Sequence, residues 1–182
     1  MSGNAKCIVL GIGGGIAAFK SANLASRLVQ NGHRVRVVMT PAAKQFIGAA
    51  TFSALTGNPV VDDVFAPEHF PLGPHIEVIS GADLLVVAPA TADLIAKFAH
   101  GIADQLLSTM WLQAACPLLI APAMSNLMWS KPAVGRNMQQ LRSDGVHVVG
   151  PNSGWLSCRE KGPGRMAEPE TIHSAIEGLL GR

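Results

Sequence analysis

The chain has 182 residues, 48% of them hydrophobic and only 14% charged, and a formal net charge of +2. That length fits one domain with a sizeable core, while the small charge, with Lys and Arg scattered along the chain, excludes the basic footprint of a nucleic-acid binder and gives no grip on an acidic membrane surface. So few charged residues leave little polar material to cover a lone globule, which predicts a homo-oligomer with surface buried between copies.

In chain order, residues 6–12 (KCIVLGI) form an apolar run that ends in glycines, and residues 16–30 follow with Ala17, Leu24, Ala25 and Leu28 at helical spacing. This reads as strand, tight turn, helix. Further strands are expected at residues 33–40, 82–90, 116–123 and 145–151. Helical segments are expected between them, with one or two in residues 91–111, one in 132–144 and a last one in 169–180 that opens on proline. Residues 58–73 carry Pro59, Pro67 and Pro71 and read as an irregular stretch, a flap or an intersubunit contact.

Residues 154–169 (GWLSCREKGPGRMAEP) read as a solvated loop with a cysteine at its centre. The N-terminal run lacks the basic region and cleavage site of a signal peptide, and no stretch reaches the length of a membrane span, so a cytoplasmic protein is expected. Of the three cysteines, Cys7 and Cys116 fall in expected strands and are read as buried, whereas Cys158 falls in the loop; none forms a CxxC pair, and no metal site is expected.

Alternating strands and helices with unbroken apolar strands predict an α/β protein with a parallel sheet covered on both faces, a three-layer single domain over residues 1–182. Ligands bind such sheets beyond the carboxyl ends of the strands. The strand ends carry the loops GIGGGI, MTPAAK, APATAD, APAMSN and GPNSGWLSC, which are therefore expected to meet in one crevice.

The first of these offers backbone amides to an anion at a helix N-terminus, although a tight turn with no ligand would use the same glycines. The dinucleotide fingerprint is incomplete, because Ile16 stands where its last glycine belongs. The second strand ends on Thr40 and Pro41 rather than on the acidic residue that grips an adenosine ribose, so a mononucleotide such as FMN fits better than NAD. Pro89, Thr91 and Asp93 occupy a strand-to-helix turn where they can contact a flavin or merely cap the helix.

The segments GGGIAAFK, HIEVISGADLLVVAPATADLIAKFAHGIADQLLS, APAMSNLMW and SCREKGPGRMAEP, in this order and spacing, resemble the homo-oligomeric flavin-containing cysteine decarboxylases over nearly the whole chain. The strongest resemblance is to the branch that converts 4'-phosphopantothenoylcysteine to 4'-phosphopantetheine in coenzyme A biosynthesis. It implies a flavodoxin-like or Rossmann-like fold, bound FMN, a trimer or a dodecamer built of trimers, and an active site shared across a subunit interface. It also implies His75 as the catalytic histidine and Cys158 as the proton-donating cysteine. Gly14, Gly15, Ile16, Thr40, Pro89, Thr91, Ala92, Asp93, Leu94 and Ala123 are implied to hold the flavin, and Met124, Ser125, Asn126 and Arg165 the substrate.

The implied reaction has a physical rationale. Loss of CO2 from a cysteine-derived carboxylate leaves a carbanion with no electron sink, whereas prior oxidation of the thiol to a thioaldehyde supplies one and leaves an enethiol. Returning the two electrons, with a proton from Cys158, gives the saturated product without an external reductant. A histidine titrating near ~6.5 is suited to proton transfer at His75, and cations such as Arg159 and Lys161 near a thiol favour its reactive form.

One departure stands out. Where the family usually has asparagine after Pro-Ala-Met, this chain has Ser125 followed by Asn126, a shorter group with fewer donors, so the contact is expected to weaken, to be bridged by water or to pass to Asn126. The rival readings are a peptidyl-cysteine oxidative decarboxylase of a peptide natural-product pathway, a non-catalytic regulatory flavoprotein and a prenyl-flavin synthase. Cys158 speaks against the first and third, and the pairing of His75 with Cys158 against the second. No fused ligase domain is expected within these 182 residues.

Overall fold

The computed structural model describes residues 5–65 and 68–181; Pro67 of the irregular stretch lies outside the described residues. Strand β1 (Cys7–Ile12) has all six residues buried and lies at the heart of the sheet. It pairs in parallel with β2 (Arg34–Met39) on one side and with β3 (Leu84–Ala90) on the other. Strand β4 (Leu118–Pro122) adds to β3, and the two-residue β5 (His147–Val148) adds to β4. The resulting order, β2-β1-β3-β4-β5, is the flavodoxin-like one. The chain reverses its direction of winding at β1, so the crevice between the carboxyl ends of β1 and β3 is the natural binding site.

Because strand side chains alternate between faces, β1 sends Ile8, Leu10 and Ile12 to one side and Val9 to the other. The first face is covered by α1 (Ala18–Gln30), α2 (Ala49–Thr56) and the C-terminal α8 (Pro169–Leu179), through Leu24, Leu28, Phe52, Ile172 and Ile176. The second is covered by α4 (Ala92–His100), α5 (Leu106–Gln113) and α7 (Pro132–Ser143), through Ile95, Phe98, Met110 and Leu141. Phe98 and Trp111 stack with centroids 3.9 Å apart, joining α4 to α5. The expected helical span 91–111 is thus two helices, broken at Gly101, whose φ of 67° closes α4.

Three expectations are corrected. Residues 154–169 are not a loop: β6 (Asn152–Trp155) and β7 (Lys161–Arg165) form an antiparallel hairpin, and α8 begins at Pro169. Glycines and a proline disguised it, because Gly162 and Gly164 are there to let the hairpin approach the segment after β4: a Cβ on Gly164 would run into the Met124 carbonyl. Cys116 precedes β4 instead of lying in it and is half-buried, whereas Cys7 is buried as expected and Cys158 is exposed. The last strand of the sheet is shorter than residues 145–151, since Gly150 (φ 82°) and Pro151 turn the chain away.

The short helices α3 (Pro74–Glu77) and α6 (Asn126–Trp129) had no readable periodicity at four residues each. Within the irregular stretch, Val61 makes an isolated parallel bridge to Val38.

Candidate active site

All five strand-end loops meet at one cleft of about 830 Å³. Gly14, Gly15 and Ile16 line it after β1, Thr40 and Pro41 after β2, Thr91, Ala92, Asp93 and Leu94 after β3, and Ala123, Met124 and Ser125 after β4. Trp155, Leu156 and Ser157 close it from the hairpin, together with Arg165.

The glycine turn is shaped by close approach rather than by unusual torsions. Gly13 N–H donates to the Pro89 carbonyl at 3.1 Å, which is how Pro89, itself outside the cleft wall, fixes the turn. A Cβ on Gly13 would collide with that oxygen, and one on Gly14 with the Ala42 methyl. Gly15 differs: the nearest atom to its added Cβ is Thr91 Cγ2 at 3.9 Å, so that position opens on the cleft. Among the described residues, no hydrogen bond uses the N–H groups of Gly14, Gly15 or Ile16. Three unspent donors just ahead of α1 offer a cradle to an anion.

The hydroxyl residues are partly committed. Thr40 Oγ1 accepts Ala43 N–H at 3.1 Å and keeps its own proton free to donate. Thr91 caps α4 by accepting Leu94 N–H at 3.3 Å, and Ser125 caps α6 by accepting Met128 N–H at 3.3 Å. Capping and cleft lining therefore coexist at both positions.

Three cations reach the cleft, each tied to carboxylates. Lys20 Nζ donates to Glu168 Oε1 at 3.0 Å and to the Met166 carbonyl at 3.2 Å, and Arg165 donates to the same Glu168 oxygen at 2.7 Å. The hydrogen bond from Lys20 holds the Glu168 carboxyl below the usual range, against a smaller opposing effect of burial. Lys97 bridges Asp93 (3.1 Å) and Asp104 (3.0 Å). Burial pulls its ammonium down, but the two carboxylates together outweigh that and keep it above its ordinary value.

His75, Asn126 and Cys158 are not in the cleft wall. His75 lies on α3, where its Nδ1 is buried with no partner among the described residues. Arg36 fixes the far end of that turn, donating to the carbonyls of Val78 at 2.7 Å and Ser80 at 3.1 Å. Cys158 sits in the hairpin turn, which Leu156 N–H closes on the Glu160 carbonyl at 2.9 Å and in which Arg159 adopts φ 64°. The Asn126 amide donates to Glu160 at 2.9 Å, which ties one of its two N–H donors to the hairpin.

Sequence reasoning missed Lys20 and its acceptor. The signal was available in part: a lysine in the first turn of a helix opposes the helix dipole, which favours anions there, and so calls for a specific partner. Which acid that partner is could not be read from a residue 148 positions away.

Fold and cleft define an α/β protein whose glycine turn and strand-end loops enclose one cleft at the β1/β3 crevice. The chain belongs to the flavoprotein family, whose profile it matches over residues 1–181. It is 47% identical over 177 residues to the coenzyme A biosynthesis bifunctional protein CoaBC of Mycobacterium tuberculosis, a match covering 97% of this chain and 42% of that protein. To CoaBC of Bacillus subtilis it is 44% identical over 174 residues, covering 96% of this chain and 43% of that one. The chain thus spans less than half the length of the curated relatives it matches.

Among solved structures, it resembles a Cys-to-Ser mutant of PPC decarboxylase complexed with pantothenoylaminoethenethiol, with a TM-score of 0.86 and 28% identity over 98% of this chain and 100% of that one. It also resembles the FMN-dependent cysteine decarboxylase SpaF, with a TM-score of 0.81 and 34% identity over 98% and 97% of the two chains.

Proposed function

We propose that this protein is an FMN-dependent decarboxylase that converts 4'-phosphopantothenoylcysteine to 4'-phosphopantetheine. The observation that carries the reading is the single cleft formed by all five strand-end loops, with its unspent Gly14, Gly15 and Ile16 amides at one end and a cysteine-bearing hairpin at the other. The residues fit the cofactor: the amide cradle and the Thr40 hydroxyl suit its phosphate, and Ile16, Leu94 and Ala123 offer apolar surface to a flat ring. FMN, when bound, supplies the two-electron acceptor that decarboxylation of a cysteine needs and returns those electrons to the product.

The chain's own residues have separate tasks. Met124, Ser125 and Arg165 line the cleft beside the hairpin and receive the substrate, with Asn126 behind them holding the hairpin. His75 moves a proton during loss of CO2, and Cys158 gives one to the enethiol. Since His75 stands outside the cleft of its own chain, we infer that a second copy brings its His75 to this cleft in a homo-oligomer, a trimer or an assembly of trimers. The exposed Ile16 and Phe19 beside the cleft support buried surface there. Among the described residues no helix is long and apolar enough to cross a membrane, and a cytoplasmic location is part of the proposal.

A purely oxidative peptidyl-cysteine decarboxylase is the second reading, since the likeness to SpaF, an FMN-dependent cysteine decarboxylase, supports decarboxylation of a cysteine without fixing the molecule that carries it. Incubating the FMN-loaded protein with 4'-phosphopantothenoylcysteine separates the two by product mass: the proposal expects CO2 and the saturated thiol. The His75→Asn variant is expected to keep its flavin and lose CO2 release, and undiminished turnover by that variant removes His75 from the mechanism.

A further inference from the structure

The hairpin that carries Cys158 is held to the body unevenly. Its returning strand is fixed near Gly164, whose carbonyl accepts Met124 N–H at 3.0 Å and whose missing side chain lets the two backbones touch. Gly162 packs just as closely on Asn126, where an added Cβ would come within 2.9 Å of the Asn126 Cβ. The turn is different. Its backbone bonds, Leu156 N–H to Glu160 and Arg159 N–H to Leu156, close it on itself. Among the described residues, one side-chain hydrogen bond joins the turn to the rest of the chain, from Asn126 Nδ2 to Glu160 Oε2 at 2.9 Å. Leu156, at the start of the turn, is buried and lines the cleft.

We propose that Glu160 is a positioning residue whose bond to Asn126 latches the Cys158 turn over the cleft, and that this latch sets how much enethiol is reduced rather than released. The inference rests on the proposed function. Once CO2 has left, the enethiol has two fates. It escapes when the turn is open, and the two electrons taken from the thiol then stay on the cofactor, so that the protein copy makes no further turnover without oxygen to take them. When the turn is closed, its two carbons receive a hydride and a proton: the hydride carries the two electrons first taken from the substrate thiol, and the proton comes from Cys158, which water then reprotonates. The ratio of saturated product to enethiol therefore follows the fraction of time the turn is closed. Glu160 touches no reacting atom in this scheme; it acts through the position of Cys158.

The test uses the full chain loaded with FMN, with CO2 release and the masses of both products measured for wild type, Glu160→Ala and Glu160→Gln. Over a single turnover, the alanine variant is expected to release CO2 at the wild-type rate while its enethiol fraction rises about threefold, the factor that a weak, solvent-exposed hydrogen bond is worth. The glutamine variant, whose amide oxygen still accepts from Asn126, is expected to restore the wild-type ratio. An unchanged enethiol fraction in Glu160→Ala, or a Glu160→Gln variant as leaky as the alanine one, overturns the latch while leaving the decarboxylase reading intact. Wild-type protein that releases no CO2 overturns both.

Discussion

Lys20 Nζ and Glu168 Oε1 lie 3.0 Å apart across 148 positions of sequence, and this bond ties the first helix beyond the glycine turn to the entry of the last helix. The lysine side chain is only 10% exposed and the glutamate 43%, so the ammonium is the group that suffers if its partner is lost. Glu168→Ala is expected to lower stability by about 1 kcal/mol, the full cost of an unsatisfied buried cation being reduced by the glutamate's exposure. The loss should shrink in a Lys20→Met background, where no ammonium needs a partner; urea unfolding of the two single variants and the double variant measures the coupling.

That ion pair also marks where reading a sequence stops. β1 and β3 were legible because a strand buried on both faces in a parallel sheet is an unbroken apolar run, and Thr91 was legible as a cap because N-caps are local. The crossing of loops at one cleft followed from topology alone. The hairpin was hidden because Gly154, Gly162, Pro163 and Gly164 carry the composition of a loop, while the reason for the last two glycines, contact with Met124 and Asn126, is tertiary. The position of His75 outside its own cleft, and the bond from the Asn126 amide to Glu160, are likewise long-range facts with no local signature.

Gly14 and Gly15 should answer differently to the same substitution. Gly14→Ala places a methyl against the Ala42 side chain and backbone, so the turn itself must shift and the fold should lose on the order of 1–3 kcal/mol. Gly15→Ala meets only Thr91 Cγ2 at 3.9 Å and should leave the unfolding midpoint nearly unchanged. Its methyl instead enters the cleft where the phosphate cradle lies, so FMN affinity should fall about tenfold or more, near ~1.4 kcal/mol. Flavin titration followed by fluorescence, alongside urea unfolding of the apoprotein, distinguishes the two; equal behaviour of the variants would contradict the geometry.

Asp83 clips the amino ends of β1 and β3 together: Oδ2 accepts Cys7 N–H at 2.8 Å and Oδ1 accepts from Lys6 Nζ at 3.1 Å. The backbone donor is the main reason its carboxyl sits below the ordinary value; burial, the next largest influence, opposes it, and Lys6 and Arg34 add to the lowering. A carboxyl with a folded pKa below its unfolded one stabilises the protein fully above the unfolded pKa, and that contribution is lost as pH falls through the folded pKa. Asp83→Asn should therefore cost about 1 kcal/mol at neutral pH, since the group is partly exposed. The gap from wild type should close as the solution becomes more acidic than the folded carboxyl; urea midpoints at neutral, mildly acidic and strongly acidic pH measure it. A gap that stays constant would assign the effect to shape instead of charge.

Cys158 is exposed at the hairpin turn, and the cleft below it is lined by the residues on either side of the hairpin, Leu156 and Arg165 among them. If its thiol supplies the final proton, Cys158→Ser removes that acid and substitutes a hydroxyl that is far too weak an acid to replace a thiol. CO2 release, which precedes that step, should continue through one turnover, while the enethiol accumulates and the saturated thiol falls by about 100-fold, the lower end of what a general acid contributes. The bound flavin should then stay reduced under anaerobic conditions, because the electrons have nowhere to return, and absorbance after a single turnover reads this directly. The Cys158→Ser phenotype is the limit that Glu160→Ala approaches: one variant removes the acid, the other leaves it in place but holds it less firmly. A serine variant that forms the saturated product at the wild-type rate would show that the proton comes from elsewhere and that the hairpin serves only to cover the cleft.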